Sequence, residues 1–556
     1  MTPLVECVPN FSEGRSQASL DAIADAIRSV EGVTLLNVDP GRAANRAVMT
    51  FVGPPEAMVE AAFRAIQAAA QHIDMRDHRG AHPRIGATDV CPFVPLRGID
   101  LESCAELARR LGARVGAELG IPVYLYEAAA TTPERRDLAA LRAGEYEGLA
   151  RRLEDPAWAP DFGEAVFNPR AGATVIGARP ILIAWNVNLN TRDWRVAARI
   201  GELIRERGGP RRDEEGEVVR DARGGVARDP GLFRAVKALG WYIPEYDRAQ
   251  ISMNLTDWRI SPPHLVVDEI RRVADQLGVV VTGCELVGLM PAEALLEAGR
   301  HYLRRQGRNP GAPEAELLEL AVRSLGLRDL GPFDVSERLI ERRLQGDGPL
   351  VRATARQLTD ALSSATPTPG GGAVAALCGA LSGGLSAMVS ALTTGKRGHE
   401  ADAEAHDQNA VRAQALREAF LADMDADVAA YDALMAAFAL PKRSPHEVAA
   451  RAAAVAAATL QATLVPLAVL ERCVEALAAA ERALTGNRNA RSDAAVAVFT
   501  ARAAAEGAWC NVTTNLAGLR DPAEAAALQA RADAAFEAVR EGSDRLSAAA
   551  RAALKG

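Results

Sequence analysis

Among seven cysteines there is no C-x-x-C pair. Cys7, Cys91, Cys104, Cys284, Cys378, Cys473 and Cys510 are odd in number and irregularly spaced. Neither a zinc ribbon nor a disulfide framework is indicated, and reduced thiols in a reducing, cytoplasmic compartment are expected. There is no long basic run, and the net charge is −8. That argues against a nucleic-acid-binding surface as the main function. The opening MTPLVECVPNFSEGR lacks the basic and apolar regions of a secretory signal. One nearly uncharged stretch, about 373–392, has the length of a membrane span, and no comparable second span is recognised. Small residues dominate it, with Ala375, Gly379, Gly383 and Ala387 at every fourth position. They make a smooth helix face for close packing, so a buried helix is expected, with a membrane span as the alternative. What remains is a globular composition, 49% hydrophobic and 24% charged. At 556 residues the chain is too long for one core, and two to four domains are expected.

The first third alternates strand and helix patterns. Apolar residues 4–8 read as a strand, 17–29 as an amphipathic helix, 33–38 and 46–52 as strands, 56–72 as a helix and 90–96 as a strand. This β-α-β-β-α-β order is the split βαβ pattern of ferredoxin-like domains. A helix at 101–119 and a strand at 121–126 extend it. The order recurs with strand 181–189, helix 193–207, strands 241–244 and 249–256, helix 264–277 and strand 279–284. Inside the second set, RERGGPRRDEEGEVVRDARGGVARDPG is charged and Gly-rich, and reads as a mobile surface loop. After residue 330 the composition changes. From about 352 the chain is Ala- and Leu-rich with helical periodicity over 353–364, 373–392, 408–438, 445–480, 492–517 and 522–554. The expected fold class is multidomain α/β plus all-α: two ferredoxin-like subdomains, 1–178 and 179–330, a linker at 331–351, and a helical bundle at 352–556. Small side chains bury little area each, so the bundle is expected to gain area by oligomerisation through helix faces.

Polar and special residues concentrate in HRGAHPRIGATDVCPFVPL, residues 78–96. His78 and His82 are four apart, which on a helix makes a metal pair. Gly80 and Pro83 argue against a continuous helix, and no third ligand stands at a familiar spacing. The other readings are a general acid/base histidine, suited to transfer between two amines, and a structural loop histidine.

Three stretches stand out in the helical part. TPTPGGGAVAA (366–376) joins a Pro/Gly turn to a helix start, whose free N–H groups suit an anion; a Gly-rich linker is the alternative. LADMDADVAAYDALMAAFALPK (421–442) has an apolar stripe at Met424, Val428, Tyr431, Met435 and Phe438, with Asp423 and Asp427 on the strip beside it. A carboxylate at the edge of an apolar face has a raised pKa and exchanges protons; otherwise this is a solvated helix face. LTGNRNARSDAAVA (484–497) is a polar loop capping an apolar helix.

Longer motifs sharpen these readings. VECVPNFSEGR (5–15), NRAVMTFVGPPE (45–56), HPRIGATDVCPFVP (82–95), VYLYEAA (123–129), RAGEYEGL (142–149), WAPDFG (158–163), GARPILIAWNVNL (177–189) and GWYIPE (240–245) resemble successive motifs of the glutamate formiminotransferase family. The resemblance runs from residue 2 to about 330. It implies that His82 is the catalytic base. It also implies folate contacts along Gly163, Glu164, Ala165, Val166, Phe167, Asn168, Pro169, Arg170, Ala171 and Gly172. A second folate segment follows at Gly231, Leu232, Phe233, Arg234, Ala235, Val236, Lys237, Ala238, Leu239 and Gly240, with fewer adjacent basic residues than relatives carry. From about 352 to 550 the three helical-part stretches resemble the cyclodeaminase family, which includes methenyltetrahydrofolate cyclohydrolase-type relatives. There the second Asp of the D-x-D helix motif is catalytic, and it falls on Asp427.

The resemblance implies tetrahydrofolate as cosubstrate, N-formimino-L-glutamate as donor and a homo-oligomer, a ring-like octamer; this chemistry requires no metal, and neither nucleic acid nor a membrane is an expected partner. It implies formimino transfer to tetrahydrofolate, then release of ammonia from 5-formimino-tetrahydrofolate to give 5,10-methenyltetrahydrofolate, in histidine breakdown. His82 takes the proton of the attacking ring amine and returns one to the departing glutamate amine. Asp39 is a candidate to orient the imidazolium or the pterin ring. Arg46, Arg84 and Arg179 are candidates for the donor's carboxylates, since guanidinium binds these bidentately. The alternatives keep the transferase but make the helical part a cyclohydrolase or a non-catalytic assembly module.

Overall fold

The computed structural model describes residues 3–80, 82–221, 224–344 and 348–555. It divides into two compact units, Met1–Ala294 with Val322–Leu344, and Leu295–Ala321 with Gln345–Gly556.

The first unit opens with strands β1 (Leu4–Cys7) and β2 (Asn10–Phe11). Helix α1 (Gln17–Arg28), strands β3 (Thr34–Gly41) and β4 (Arg46–Gly53), helix α2 (Pro55–His72) and strand β5 (Thr88–Arg97) follow. β1 and β2 act as one interrupted strand, antiparallel to β4 on one side and β5 on the other. β3 pairs with β4 outside them. Helix α3 (Leu101–Leu119), strand β6 (Val123–Glu127), helices α4 (Leu138–Leu141) and α5 (Glu145–Leu153) and strand β7 (Thr174–Ala178) come next. β7 runs parallel to both β5 and β6, completing a seven-stranded sheet.

The alternation of strand side chains decides which face is core. Val5, Cys7, Met49, Phe51, Cys91 and Phe93 bury against Ile23 and Ile27 of α1, Phe63 and Ile66 of α2, and Leu111 and Val115 of α3. Their neighbours in sequence, including Glu6, Thr50 and Val90, therefore face the other way, into the cleft described below.

The βαββαβ order then repeats. Strand β8 (Ile183–Leu189) leads to helix α6 (Trp194–Ile204), the two-residue strands β9 (Gly209–Pro210) and β10 (Arg228–Asp229), strands β11 (Val236–Ile243) and β12 (Arg248–Leu255), helix α7 (Pro263–Gln276) and strand β13 (Val281–Val287). The sheet order is β11-β12-β8-β13, antiparallel throughout, as a ferredoxin-like unit requires. β11 starts at Val236, five residues before the strand expected from sequence, because Val236 to Ile243 pair without a break with Leu255 to Arg248. The charged segment between α6 and β11, read as a mobile loop, contains the β9–β10 ribbon and two turns. Asp213 accepts from Glu217 N at 2.8 Å and Asp221 from Gly225 N at 2.8 Å. Residues 222–223 of that segment lie outside the described residues.

Helices α8 (Ala292–Arg305) and α9 (Glu314–Leu325) were not anticipated, and residues 295–321 within them belong to the second unit. The expected connector at 331–351 carries the short helices α10 (Val335–Arg338), α11 (Ile340–Leu344) and α12 (Pro349–Arg352); residues 345–347 lie outside the described residues. The bundle consists of α13 (Ala355–Leu362), α14 (Gly371–Thr393), α15 (Ala403–Ala439), α16 (Pro445–Leu484), α17 (Arg491–Leu516) and α18 (Pro522–Lys555). α14 packs against α15, α16 and α17. A Cβ added at Gly379 would come within 2.6 Å of the Phe420 ring, and one at Gly383 within 2.8 Å of the Ala413 carbonyl. The small-residue face of α14 is thus a packing face. α14 and α16 are both long and apolar enough to cross a membrane, where sequence reading found only the first; the apolar window of α14 is 61% buried within the bundle. The α15 stripe is only partly core: Met424 is buried, while Met435 and Phe438 are exposed at the far end of the helix.

Candidate functional sites

Two places gather chemistry-bearing side chains, one in each unit. In the first unit a cleft of about 1030 Å3 lies between the free face of the seven-stranded sheet and the four-stranded sheet. His82 lines it, half-buried. The loop carrying His82 lies close over the β3–β4 hairpin, and a Cβ at Gly80 would sit 2.1 Å from the Ala44 carbonyl.

The protonation state of His82 follows from its partners. Nδ1 stands between an acceptor, the Pro83 carbonyl at 2.8 Å, and a guanidinium that can only donate, that of Arg46. Arg46 Nη1 lies against the ring, 2.6 Å from Nδ1 and 3.2 Å from Nε2. Burial first, then the Arg46 and Arg142 charges, hold the His82 pKa well below its ordinary value. These influences favour the neutral ring, the form that can accept a proton.

Arg46 is itself anchored. It donates to Asn10 Oδ1 from Nε at 3.0 Å and Nη2 at 2.5 Å, and to Asp89 Oδ2 at 3.2 Å. Buried Asp89 also accepts from Arg142 Nη2 at 2.5 Å and from Ile85 N at 3.1 Å. On the other side, the Trp241 ring meets the His82 ring edge-on at 6.3 Å. Asn10, Asp89, Arg142 and Trp241 escaped sequence reasoning. They stand in its motifs, but only strand pairing brings them around His82.

The other first-unit candidates separate by geometry. His78 is buried; its Nε2 donates to the Asn45 carbonyl at 2.8 Å and its Nδ1 accepts from Arg84 Nε at 3.1 Å. With both nitrogens occupied, it forms no metal pair with His82. Arg84 is buried and ion-paired with Glu145 at 3.0 Å and Glu147 at 2.7 Å. Arg46 is likewise engaged by Asp89 and Asn10. Arg179 lines the cleft and donates to the Pro180 carbonyl at 3.0 Å, with no ion pair among the described residues. Asp39 lines the cleft too, but accepts from Gly288 N at 2.6 Å and pairs with Arg338 at 3.0 Å.

In the second unit, the three acidic residues of LADMDADV separate cleanly. Asp423 is ion-paired with Arg472 of α16. Asp425 accepts from Leu350 N at 3.0 Å, at the start of α12. Asp427 faces the first turn of α14: a Cβ at Gly372 would lie 2.1 Å from its Oδ1, and Ala373 N–H donates to it. Burial raises the Asp427 pKa, and the Ala373 hydrogen bond lowers it less. The helix start offers N–H groups beside this carboxylate, and no cation neutralises it among the described residues. The 484–493 loop lies elsewhere. Asn487 donates to the Leu392 carbonyl at 3.1 Å, at the opposite end of α14, roughly 33 Å from its start at 1.5 Å per residue.

Comparison with known proteins agrees along the chain. Residues 4–179 match the family described as "Formiminotransferase domain, N-terminal subdomain", 184–345 match "Formiminotransferase domain", and 354–534 match "Formiminotransferase-cyclodeaminase". The formimidoyltransferase-cyclodeaminase of Sus scrofa is 42% identical over 537 residues, 96% of each chain. This chain belongs to the formimidoyltransferase-cyclodeaminase family.

The glutamate formimidoyltransferase of Thermoplasma acidophilum is 45% identical over 310 residues, covering 55% of this chain and 95% of that one. The methenyltetrahydrofolate cyclohydrolase of Methylorubrum extorquens is 42% identical over 174 residues, 31% of this chain and 82% of that one. Within this formimidoyltransferase-cyclodeaminase family chain, the two segments expected to contact folate differ in placement. Val236, Lys237, Ala238 and Leu239 line the His82 cleft; Gly231 to Ala235 and Gly240 do not. None of residues 163–172, all described, lines it. They form a loop before β7, in which Asn168 Oδ1 accepts from Arg170 N at 3.1 Å and Ala171 N at 2.9 Å, and Phe167 packs on Tyr146 at 5.5 Å.

Proposed function

We propose that this protein transfers the formimino group of N-formimino-L-glutamate to tetrahydrofolate in the His82 cleft. Its helical unit then deaminates 5-formimino-tetrahydrofolate to 5,10-methenyltetrahydrofolate, in histidine degradation. The observation that carries the first half is His82 lining a cleft of about 1030 Å3, with Arg46 against its ring and its pKa held below the ordinary value. The N5 amine of tetrahydrofolate attacks the formimino carbon and His82 takes its proton. The carbon–nitrogen bond to glutamate then breaks as His82 returns the proton to the leaving amine. Arg46 and Trp241 hold the imidazole, and Asp39 fixes the far wall. Arg179 is the arginine best placed for a donor carboxylate, because it has no ion pair among the described residues.

For the second half, the N10 amine attacks the formimino carbon, and ammonia departs with a proton supplied through Asp427, whose raised pKa suits that exchange. Tetrahydrofolate is the cosubstrate of the transfer, its 5-formimino derivative is the substrate of the second step, and neither step requires a metal. Folate lies along the Val236–Leu239 wall; the Gly163–Gly172 loop is a second contact on the resemblance alone. The same reading makes the enzyme a cytoplasmic homo-oligomer. Exposed Val374, Leu381, Met388 and Leu392 along α14, with Val496 and Phe499 of α17, support an apolar face for a second copy.

The similarity to a methenyltetrahydrofolate cyclohydrolase favours a second reading, in which the helical unit hydrolyses the methenyl compound instead. Two variants and two assays decide. His82→Ala is expected to abolish formimino transfer while ammonia release from supplied 5-formimino-tetrahydrofolate continues; Asp427→Asn is expected to do the reverse. Transfer by His82→Ala near the parent rate refutes the first assignment. Absence of ammonia release by the unaltered enzyme, with methenyl hydrolysis present, selects the cyclohydrolase.

A further inference from the structure

The wall of the cleft across from the seven-stranded sheet carries a carboxylate that the mechanism above does not use. Glu285 stands on β13, half-buried and lining the cleft. Its Oε2 accepts from Asn186 Nδ2 at 2.9 Å and from Gln250 Nε2 at 3.0 Å, and its Oε1 accepts from Tyr246 OH at 3.1 Å. Gln250 Oε1 in turn accepts from Trp241 Nε1 at 3.0 Å. Trp241 is the ring that meets His82. A continuous set of contacts therefore runs from the imidazole through Trp241 and Gln250 to Glu285.

The donors that hold Glu285 are all neutral. They orient the carboxylate, and no cation pairs with it among the described residues. The other acidic residues around the cleft differ. Asp39, Asp137 and Glu145 are ion-paired with Arg338, Lys237 and Arg84. Glu6 is pushed up to about 7 by burial, and burial raises Glu127 as well, with Lys237 and Arg179 opposing. Glu206 and Glu245 are exposed and solvated. A carboxylate has about four acceptor positions. Three are filled on Glu285, so one remains on Oε1 for an N–H donor. A half-buried, oriented, unpaired carboxylate is poorly stabilised until a cation arrives.

Formamidines are strong bases and are cationic near neutral pH, and the tetrahydrofolate amine attacks the cationic form more readily than the neutral one. We propose that Glu285 binds the protonated formimino end of the donor and selects the cationic donor over neutral acyl analogues. This assignment rests on the transferase reading of the His82 cleft. The shared chemistry is an amidine-type N–H group. The tetrahydrofolate pterin edge also carries such donors, and the experiment separates the two sources.

The test uses the full-length enzyme, N-formimino-L-glutamate as substrate and N-formyl-L-glutamate, its neutral isostere, as competitor. The unaltered enzyme is expected to bind the formimino compound about 10–100-fold more tightly than the formyl compound, the range of one hydrogen bond to a charged group. Glu285→Gln, which keeps shape and removes charge, is expected to raise KM for the formimino donor by that factor. It should lose the preference while KM for tetrahydrofolate stays within about 2-fold. Equal affinity of the unaltered enzyme for the two compounds overturns the proposal without any variant. A Glu285→Gln enzyme that raises KM for tetrahydrofolate alone overturns it in favour of the pterin edge. No transfer by the unaltered enzyme overturns the underlying reading and the proposal together, whereas transfer with unchanged donor selectivity in Glu285→Gln overturns the proposal alone.

Discussion

Adding one methyl group at residue 372 separates the chemistry of the second unit from its stability. Gly371 and Gly372 begin α14 side by side, but only one of them has room. A Cβ at Gly371 meets nothing closer than Asn511 Nδ2 at 3.7 Å, an ordinary contact. A Cβ at Gly372 would lie 2.1 Å from Asp427 Oδ1 and 2.4 Å from its Cγ. These atoms are the end of a rotatable side chain, so the carboxylate swings aside and the backbone stays. Replacing Gly by Ala in a helix gains about 0.5–1 kcal/mol. Displacing one half-buried carboxylate costs a similar amount, through the lost Ala373 hydrogen bond. Gly372→Ala is therefore expected to leave the melting temperature nearly unchanged, and Gly371→Ala to raise it slightly. Activity diverges. A displaced proton-exchanging group removes the contribution of general acid catalysis, about 10²–10⁴-fold. The assay is ammonia release from 5-formimino-tetrahydrofolate, with formimino transfer measured on the same preparations. Gly371→Ala should retain ammonia release, Gly372→Ala should lose at least about 100-fold, and both should keep transfer. Full ammonia release by a folded Gly372→Ala enzyme refutes the placement of the reaction at Asp427.

Two further outcomes are expected. Asp423→Asn and Asp425→Asn should retain ammonia release where Asp427→Asn does not, since Asp423 is committed to Arg472 and Asp425 to Leu350 N; equal losses in all three would mean a general charge effect on α15. Glu6 is held to about 7 by burial, with Arg179 opposing, while an exposed carboxyl titrates near 4.5. The unfolded chain thus releases this proton at lower pH than the folded one, and stability falls as pH rises from about 4.5 to about 7. At about 1.4 kcal/mol per unit the penalty above pH 7 is roughly 3 kcal/mol. Glu6→Gln should raise the melting temperature at pH 8 by several degrees and leave it unchanged at pH 4; an equal change at both values would remove Glu6 titration as the cause.

Periodicity and motif made the architecture legible before any coordinates. Alternating apolar residues mark β4 and β5 and a 3.6-residue stripe marks α1, because each element buries one face whatever its partner is. The composition break after residue 330 marks the change from sheet to helix for the same reason. Motif resemblance pointed to His82 and Asp427. Pairing across strands and between helices is a different kind of information, since it joins residues far apart in sequence. Only the tertiary structure shows that Arg46 and Arg84 are tied to protein carboxylates while Arg179 has no ion pair among the described residues. Only it shows that His78 spends both nitrogens internally, and that three aspartates within about one and a half turns of helix meet Arg472, Leu350 N and the α14 start. It also fixed the start of β11 at Val236, five residues before the strand read from sequence, because an unbroken ladder to β12 makes a strand there. The sequence by itself determined which residues can take and return a proton. The fold decided which of them remain unpaired beside a cleft or a helix start, because burial and hydrogen-bond partners set a side chain's charge and availability, and both depend on what the folded chain brings alongside it.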